Sequence, residues 1–339
     1  MSATSTSFSR TDDWEHICFP VAVQAFSDIA TGYTVAATDR QRLVVGQPQP
    51  GQNVIYAVQS NEYTLIPNTV IRDVVQAVVG PSATLDARMS PLGEFSLNVI
   101  IPGHSLTIGN HRDTLHKNIM IQNSYNGKAP FRIQGSQLAK SFKKVRETRM
   151  KVSYYRLVCS NGLMGWSDDF LSMDEYLAWL LKGQPKKYVD TNRVRTTIDE
   201  GYDLLTEEEE LLLNRRFNHK GLDLDWFGRM LERMLIDFVA AKGSLTHQVY
   251  QQFAQHPITP ANGQQLLIDA KLPKMLARQA ISRMHEEERL LDTGANLWLL
   301  YNGANYVLNN QQSSLSMSDR SRQDEAIFHR LAAVALAGN

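Results

Sequence analysis

The sequence has very little cysteine: Cys18 and Cys159 are the only two in 339 residues. Two thiols supply neither a disulfide framework nor the ligand set of a structural zinc site. Because disulfides are rare in reducing compartments, this cysteine usage favours the cytoplasm. A chain of this length can bury a core without such covalent support.

Long apolar runs are also missing. No window contains the 18 or more apolar residues that a membrane span needs. The N-terminal residues, MSATSTSFSRTDDW, lack the apolar segment of a signal peptide. Their high Ser and Thr content predicts disorder over residues 1–13. We therefore expect a cytoplasmic protein with no membrane partner.

The motifs of common catalytic sites are absent as well. The sequence contains no GxGxxG, Walker, HExxH or GxSxG motif. The neighbouring His104, His111 and His116 do not have the spacing of a metal site. These absences predict no cofactor and no metal, and they favour a protein that is not an enzyme.

The hydrophobic pattern of the first half predicts mainly strands. Apolar and polar residues alternate in TLDARM, EFSLNVII and NIMIQ, as is typical of half-buried strands. The Val and Ile residues after Pro67 have helical spacing instead, and Gly80 marks the predicted end of that helix. GQPQPGQN, residues 46–53, has the composition of a loop.

The second half predicts helices. Capping-box patterns begin at Ser172 and Thr206, where a Glu follows three residues later, and Thr259 precedes a proline suited to a first helical turn. The predicted fold class is α+β, with a mostly antiparallel N-terminal sheet and one or two helices followed by a helical C-terminal half. The predicted divisions are a disordered N-terminus (1–13), an α+β domain (14–166) and a helical region (167–339).

Charge is unevenly distributed although the formal net charge is zero. Residues 110–156 contain eleven Lys/Arg and two acidic residues, whereas residues 199–237 contain eleven Asp/Glu and five Lys/Arg. Such segregation can mark a surface for an anionic partner. Two alternatives stay open: the two regions face each other, or both are ordinary solvated faces.

Two turn motifs lie in the middle of the chain, Asn123-Ser124-Tyr125-Asn126-Gly127 and Cys159-Ser160-Asn161-Gly162-Leu163. An Asn-Gly dipeptide between strand-like runs predicts a tight hairpin turn. Such turns can bind anions through their backbone amides, and a cysteine can be a nucleophile. The favoured interpretation is structural for both turns, with Cys159 as a small buried side chain.

NSYNG followed by YRLVCSNGLMG resembles a phage- and plasmid-borne family classed as domain of unknown function 932, which is related to uncharacterised prophage protein family 0380. SNEYTLIPNTVI and NLWLLYNGANYVL are similar to further elements of that family, so that the resemblance extends over about residues 55–310. It implies an association with mobile elements and no established activity. The residues that match the family motifs are Asn123, Ser124, Gly127, Cys159, Asn161 and Gly162.

The sequence departs from the family pattern at Tyr125 and Asn126, where the family commonly has His and Asp. Neither residue can act as a general base for Cys159, which weakens the hypothesis of a thiol enzyme. The segment between the two motifs is also longer here than in the family.

This longer segment is strongly basic. Leu138, Phe142 and Val145 have helical spacing, which predicts a short amphipathic helix with a basic outer face. Lys and Arg attract phosphates, and aromatic rings stack on unpaired bases. We therefore predict a surface for nucleic acid, with single-stranded DNA as the expected ligand. Its predicted residues are Lys140, Lys143, Lys144, Arg146, Arg149, Lys151, Tyr154, Tyr155 and Arg156.

The predicted function is a non-catalytic nucleic-acid-binding accessory protein of a phage, plasmid or other mobile element. Two other classes stay open: a protein-interaction module that inhibits or adapts a host system, and an enzyme that uses the Asn and Cys motifs. The enzyme requires Asn123, Ser124, Cys159 and Asn161 to converge in one pocket. The sequence leaves open whether the protein forms a homo-oligomer.

Overall fold

The computed structural model confirms the α+β class, with antiparallel sheets in the first half and helices in the second. The predicted basic helix and the helix predicted after Thr206 lie outside the residues that it describes. Within those residues, no helix is both long enough and apolar enough to cross a bilayer. The described residues are 9–30, 32–33, 40–109, 112–133, 152–168, 170, 172–183, 216–241, 244–311, 315 and 317–337.

One large antiparallel sheet organises the first half. Its strands are β1 (Ser9–Thr11), β5 (Thr84–Met89), β6 (Glu94–Thr107), β7 (Thr114–Ser124), β8 (Phe131–Ile133), β9 (Ser153–Arg156), β10 (Asn161–Leu163) and β11 (Arg216–Phe217). The order is β1-β5-β6-β7-β8-β11, and β9 pairs with β7 on the edge that β8 also uses. The predicted strands TLDARM, EFSLNVII and NIMIQ are β5, the first part of β6 and the centre of β7.

A second sheet has three strands. It has the order β2 (Val21–Gln24), β3 (Gln41–Gln49) and β4 (Gln52–Ser60). The short helix α1 (Phe26–Ile29) follows β2, and α2 (Asn68–Val79) follows β4. The helix predicted after Pro67 is α2, and Gly80 ends it with φ of 89°.

Two segments that were expected to be irregular contain strands. Residues 46–53 were predicted as a loop, yet most of them belong to β3 and β4, because Pro48 falls where the pairing register shifts and no amide donor is needed. Ser9–Thr11 lies within the N-terminus that was predicted to be disordered, yet it forms β1 along the open edge of β5.

The helices of the second half are α3 (Met173–Leu181), α4 (Leu224–Ala240), α5 (Leu245–Gln255), α6 (Pro260–Asp269), α7 (Lys274–Leu291), α8 (Leu297–Asn310) and α9 (Met317–Ala337). The side chains of Ser172 and Thr259 accept the backbone N–H groups of Glu175 and Asn262, as their sequence patterns predict for α3 and α6.

Apolar side chains form two cores. The first core lies between the sheet and the helices α2 and α4, and it includes Phe95, Ile121 and Phe227. The second core lies among α3 and α5–α9, and it includes Tyr250 and Trp298 together with residues of β9 and β10. β11 and α4 belong to the predicted helical region, 167–339, yet their side chains complete the first core.

Arg156, at the end of β9, connects the sheet to the helices from a fully buried position. Its Nε and Nη2 each donate to the carboxylate of Asp113 at 2.7 Å, and its Nη1 donates to Glu287 on α7 at 2.5 Å. Trp298 on α8 donates its indole N–H to Asp113 at 2.6 Å. A buried charge is tolerated only where opposite charges and hydrogen bonds surround it, as they do here.

Replacing Arg156 with Met should destabilise the protein by about 3–5 kcal/mol, because Asp113 and Glu287 then stay buried without their shared cation. The matched control is Arg330→Met, which breaks an ion pair with Asp269 between side chains that are 46% and 39% exposed. That surface pair should contribute less than about 1 kcal/mol. Urea unfolding measures the loss of stability in both variants. If Arg156→Met loses no more stability than Arg330→Met, the buried cluster does not hold the helices to the sheet.

Candidate functional site

The two central motifs do not form one pocket. The side chain of Asn123 points to α2, where its Nδ2 donates to Ile66 O and to Asn68 Oδ1, both at 2.9 Å. The side chain of Asn161 lies on the opposite face of the sheet, where its Oδ1 accepts from Arg88 and Asn310. With the sheet between them, these residues do not meet the geometric requirement of the enzyme hypothesis.

The NSYNG motif positions the start of α2. Tyr125 is fully buried, and its hydroxyl accepts the backbone N–H of Asn68 at 3.0 Å. Its ring packs against Phe95 with 4.6 Å between centroids. Gly127 has φ of 67°, and a Cβ there would overlap the side chain of Gln59. Tyr125 thus has a structural role, because its ring fills the core and its hydroxyl holds the first residue of α2.

The CSNGL motif connects β5 to the end of α8. Arg88 donates to Ser160 O at 3.0 Å, to Asn161 Oδ1 at 2.9 Å and to Asn309 O at 3.0 Å. Ser160 has φ of 50°, and a Cβ at Gly162 would overlap the side chain of Asn98 on β6. The motif residues are thus used for close packing of the β9–β10 turn over the sheet.

Cys159 does not have the environment of a nucleophile. Its side chain is buried, and this burial raises the pKa of the thiol even though the guanidinium of Arg156 lies 3.5 Å from Sγ. Burial also raises the pKa of the half-buried Cys18, to about 11. Both thiols are therefore protonated at neutral pH, whereas the thiolate is the reactive form.

Three residues of the predicted nucleic-acid surface lie in the interior. Tyr154 packs against Tyr250, Tyr155 donates its hydroxyl to Asp86 at 3.1 Å, and Arg156 is in the buried ion cluster. A buried ring offers no face to a base, so these side chains stabilise the β9–β10 hairpin. The sequence pattern of basic and aromatic residues did not reveal this, because helices cover β9 and all four of its residues are buried. The other predicted residues, Lys140, Lys143, Lys144, Arg146, Arg149 and Lys151, lie outside the described residues.

Some of the positive charge of residues 110–156 is used internally. Lys117 is buried, and its Nζ donates to Val239 O at 2.8 Å and to Ala241 O at 2.6 Å. These carbonyls end α4, where a cation is favourable because it opposes the helix dipole. Burial lowers the pKa of Lys117. Lys117 and Arg156 therefore do not add to a basic surface.

A buried carboxylate that the sequence analysis did not single out lies between α8 and α9. Asp324 accepts the indole N–H of Trp166 at 2.7 Å, the hydroxyl of Tyr301 at 3.1 Å and the amide of Asn305 at 2.9 Å. Its position could have been recognised, because Asp324 shares a helical stripe with Ile327, which is buried. Burial raises the pKa of Asp324 to about 6.

In the described part of the chain, no group of three or more His, Cys, Asp or Glu side chains could hold a metal ion. Comparisons with protein-family models, with curated proteins and with solved structures find no match to this chain. The argument for a binding or catalytic function therefore depends on the charges and the geometry of this chain.

The native protein should resist alkylation by iodoacetamide at neutral pH, because Cys159 is buried and both thiols have a raised pKa. Protein unfolded in urea should take up two groups, as counted by mass spectrometry, since the chain contains two cysteines. Comparison with Cys159→Ser identifies the thiol that reacts. Rapid alkylation of Cys159 in the native protein would contradict this prediction and support the hypothesis of a thiol enzyme.

The free energy of unfolding should depend on Asp324 between about pH 4 and pH 6. The carboxyl group of Asp324 has a pKa of about 6 in the native state, against an ordinary value of 3.8. The native state therefore binds the carboxyl proton more tightly than the unfolded state does. Protonation of Asp324 stabilises the fold fully below the ordinary pKa of 3.8, and this stabilisation is lost as the pH rises through the native pKa of about 6. About two pKa units correspond to about 3 kcal/mol.

Asp324→Asn replaces the carboxyl group with an amide that does not titrate. The difference in unfolding free energy between variant and wild type should therefore change by about 3 kcal/mol between about pH 4 and pH 6. Urea unfolding at a series of pH values measures it. Parallel curves for the two proteins would contradict the raised pKa.

Proposed function

We propose that the protein binds single-stranded nucleic acid through its basic segment, residues 134–151, as a non-catalytic accessory protein of a mobile element. The observation that carries this proposal is the charge of the segment relative to the rest of the chain. It contains six Lys/Arg and one Glu, a net charge of +5, so that the remaining residues have a net charge of −5. Phosphate binding of this kind is electrostatic and independent of base sequence.

The positions of the flanking strands support the proposal. Ile133 at the end of β8 pairs with Ile121, and Ser153 at the start of β9 pairs with Asn118, both on the same edge of β7. Three residues of strand separate the two attachment points, about 10 Å at ~3.4 Å per residue. The sheet therefore anchors both ends of the basic segment close together.

The burial of the motif residues supports the non-catalytic part of the proposal. Asn123, Ser124, Cys159 and Asn161 are at most 3% exposed, and they contact two different faces of the sheet. No substrate could reach all of them in this arrangement. The link to a mobile element depends on the sequence resemblance alone.

A protein-interaction module is the second candidate, favoured by one observation. Ile55 and Val58 on β4 are 52% and 50% exposed, and their register partners Val45 and Leu43 place them on one face of the small sheet. Exposed apolar side chains in a group are typical of binding surfaces. A host protein that co-purifies with the wild type but not with Ile55→Asp/Val58→Asp would support this alternative.

Fluorescence anisotropy with labelled single-stranded DNA tests the first candidate. If all six cations contact phosphates, the slope of log Kobs against log salt should be about −4, at ~0.7 per contact. Reversing three of them, Lys143→Glu/Lys144→Glu/Arg146→Glu, should abolish binding.

The matched control reverses three exposed cations on α7, Lys274→Glu/Arg278→Glu/Arg289→Glu, which changes the net charge equally and should retain most of the affinity. If the wild type binds neither DNA nor RNA, single- or double-stranded, at low salt, the proposal is wrong.

A further inference from the structure

One helix of the second half presents a row of basic side chains to solvent. The exposed residues along this side of α7 are Lys274, Arg278, Ser282, His285 and Arg289. They follow one another at intervals of three or four residues, which places them on one face of a helix with 3.6 residues per turn. At ~1.5 Å per residue, this basic face of α7 is about 22 Å long. It contains no acidic residue.

The glutamates of α7 lie beside this face and have partners of their own. Glu286 and Glu287 each lie 3.0 Å from the guanidinium of Arg283, which is not part of the face. Glu288 lies 2.6 Å from Nδ1 of His285. Of the basic side chains of the face, His285 therefore has a carboxylate partner.

The other three cations of the face keep their charge free for a ligand. Within the described residues, Lys274 and Arg278 make neither an ion pair nor a side-chain hydrogen bond. Arg289 donates its Nε to the carbonyl oxygen of His285 at 3.4 Å, and it pairs with no carboxylate in the described part of the chain. The fold therefore does not use these three charges.

Helix α4 shows that such a face is not a general property of the helices in this protein. It also exposes two arginines four residues apart, Arg229 and Arg233, but three exposed acidic residues accompany them: Asp225, Glu232 and Asp237. The exposed side of α4 is therefore mixed in charge, whereas the basic face of α7 has one sign.

The composition of the face indicates which anionic partner it fits. Protein interfaces are poor in Lys and rich in aromatic residues at their centre, and helices that bind membranes need a broad apolar side. The face has no aromatic residue, and its exposed apolar neighbours, Met275 and Leu290, are about 22 Å apart along the helix. Lys, Arg and Ser side chains are the usual donors to the phosphates of nucleic acids.

The lack of aromatic side chains also separates a duplex from a single strand. Sites for single strands combine cations with aromatic rings on which unpaired bases stack. In a duplex the bases are already stacked on one another, so that phosphate contacts alone can bind it.

We propose that the basic face of α7 binds the phosphate backbone of a nucleic-acid duplex, with Lys274, Arg278 and Arg289 as its phosphate contacts. Ser282, which lies between the cations, donates a further hydrogen bond to a phosphate oxygen. This inference goes beyond the proposed function, because it does not involve residues 134–151 and can hold without them. Such contacts position the duplex and do not read its bases.

The test is Lys274→Gln/Arg278→Gln, measured by fluorescence anisotropy with a labelled DNA duplex of about 16 base pairs. With three contacts at ~0.9 each, the slope of log Kobs against log salt should be about −3 for the wild type. The variant keeps one contact, so its slope should be about −1. Its affinity at about 20 mM salt should fall by more than about 100-fold.

The matched control is Arg229→Gln/Arg233→Gln, which removes two charges from an exposed helix face at the same spacing. It should retain both the slope and the affinity for the duplex. A labelled single strand of about 16 nucleotides should bind Lys274→Gln/Arg278→Gln as it binds the wild type. Thermal unfolding shows that each variant is folded before binding is compared.

Loss of duplex binding in the α7 variant, with retention in the α4 variant, supports the inference. If both folded variants bind the duplex equally, or if the wild type does not bind it at low salt, the inference is wrong. The face is then a solvated surface or a site for an acidic protein. Equal losses for duplex and single strand in the α7 variant would contradict the choice of a duplex. The proposed function is decided separately, by single-strand binding and by charge reversal in residues 134–151.

Discussion

A guanidinium without access to water is stable only where carboxylates surround it, and Arg156 meets this condition through distant parts of the chain. Asp113 comes from the start of β7, Glu287 from α7, and the indole of Trp298 on α8 lies 5.4 Å from the guanidinium carbon. The cluster forms only when hairpin, sheet and helices are assembled together. It therefore links folding of the sheet to docking of the helices, and it explains why β9 has no exposed face.

The position of this cluster decides what the central motifs can do. Because helices cover the β9–β10 hairpin, Cys159 and Asn161 are enclosed, and their polar atoms are used for contacts between layers. The NSYNG turn has the same function on the other face, where Asn123 and Tyr125 hold the start of α2. Two motifs that look like a bipartite site in the sequence are in fact two separate packing devices, one on each face of a single sheet.

The positive charge of the central region falls into two classes. Lys117, Arg88 and Arg156 are buried, and each neutralises carboxylates or carbonyl groups within the fold. The cations of residues 134–151 lie in the sequence between β8 and β9, which pair with the same edge of β7.

The elements with a local cause can be predicted from the sequence. The helix after Pro67, the β5–β6 hairpin and the caps at Ser172 and Thr259 follow from hydrophobic period, turn chemistry and side-chain capping, which act over a few residues. Which faces of these elements are covered depends on how the helices pack on the sheet. Period and composition cannot show that helices enclose β9, which turned Tyr154, Tyr155 and Arg156 from predicted ligands into core residues. Nor can they show which residues of distant strands lie opposite each other, because register between distant strands depends on long-range pairing.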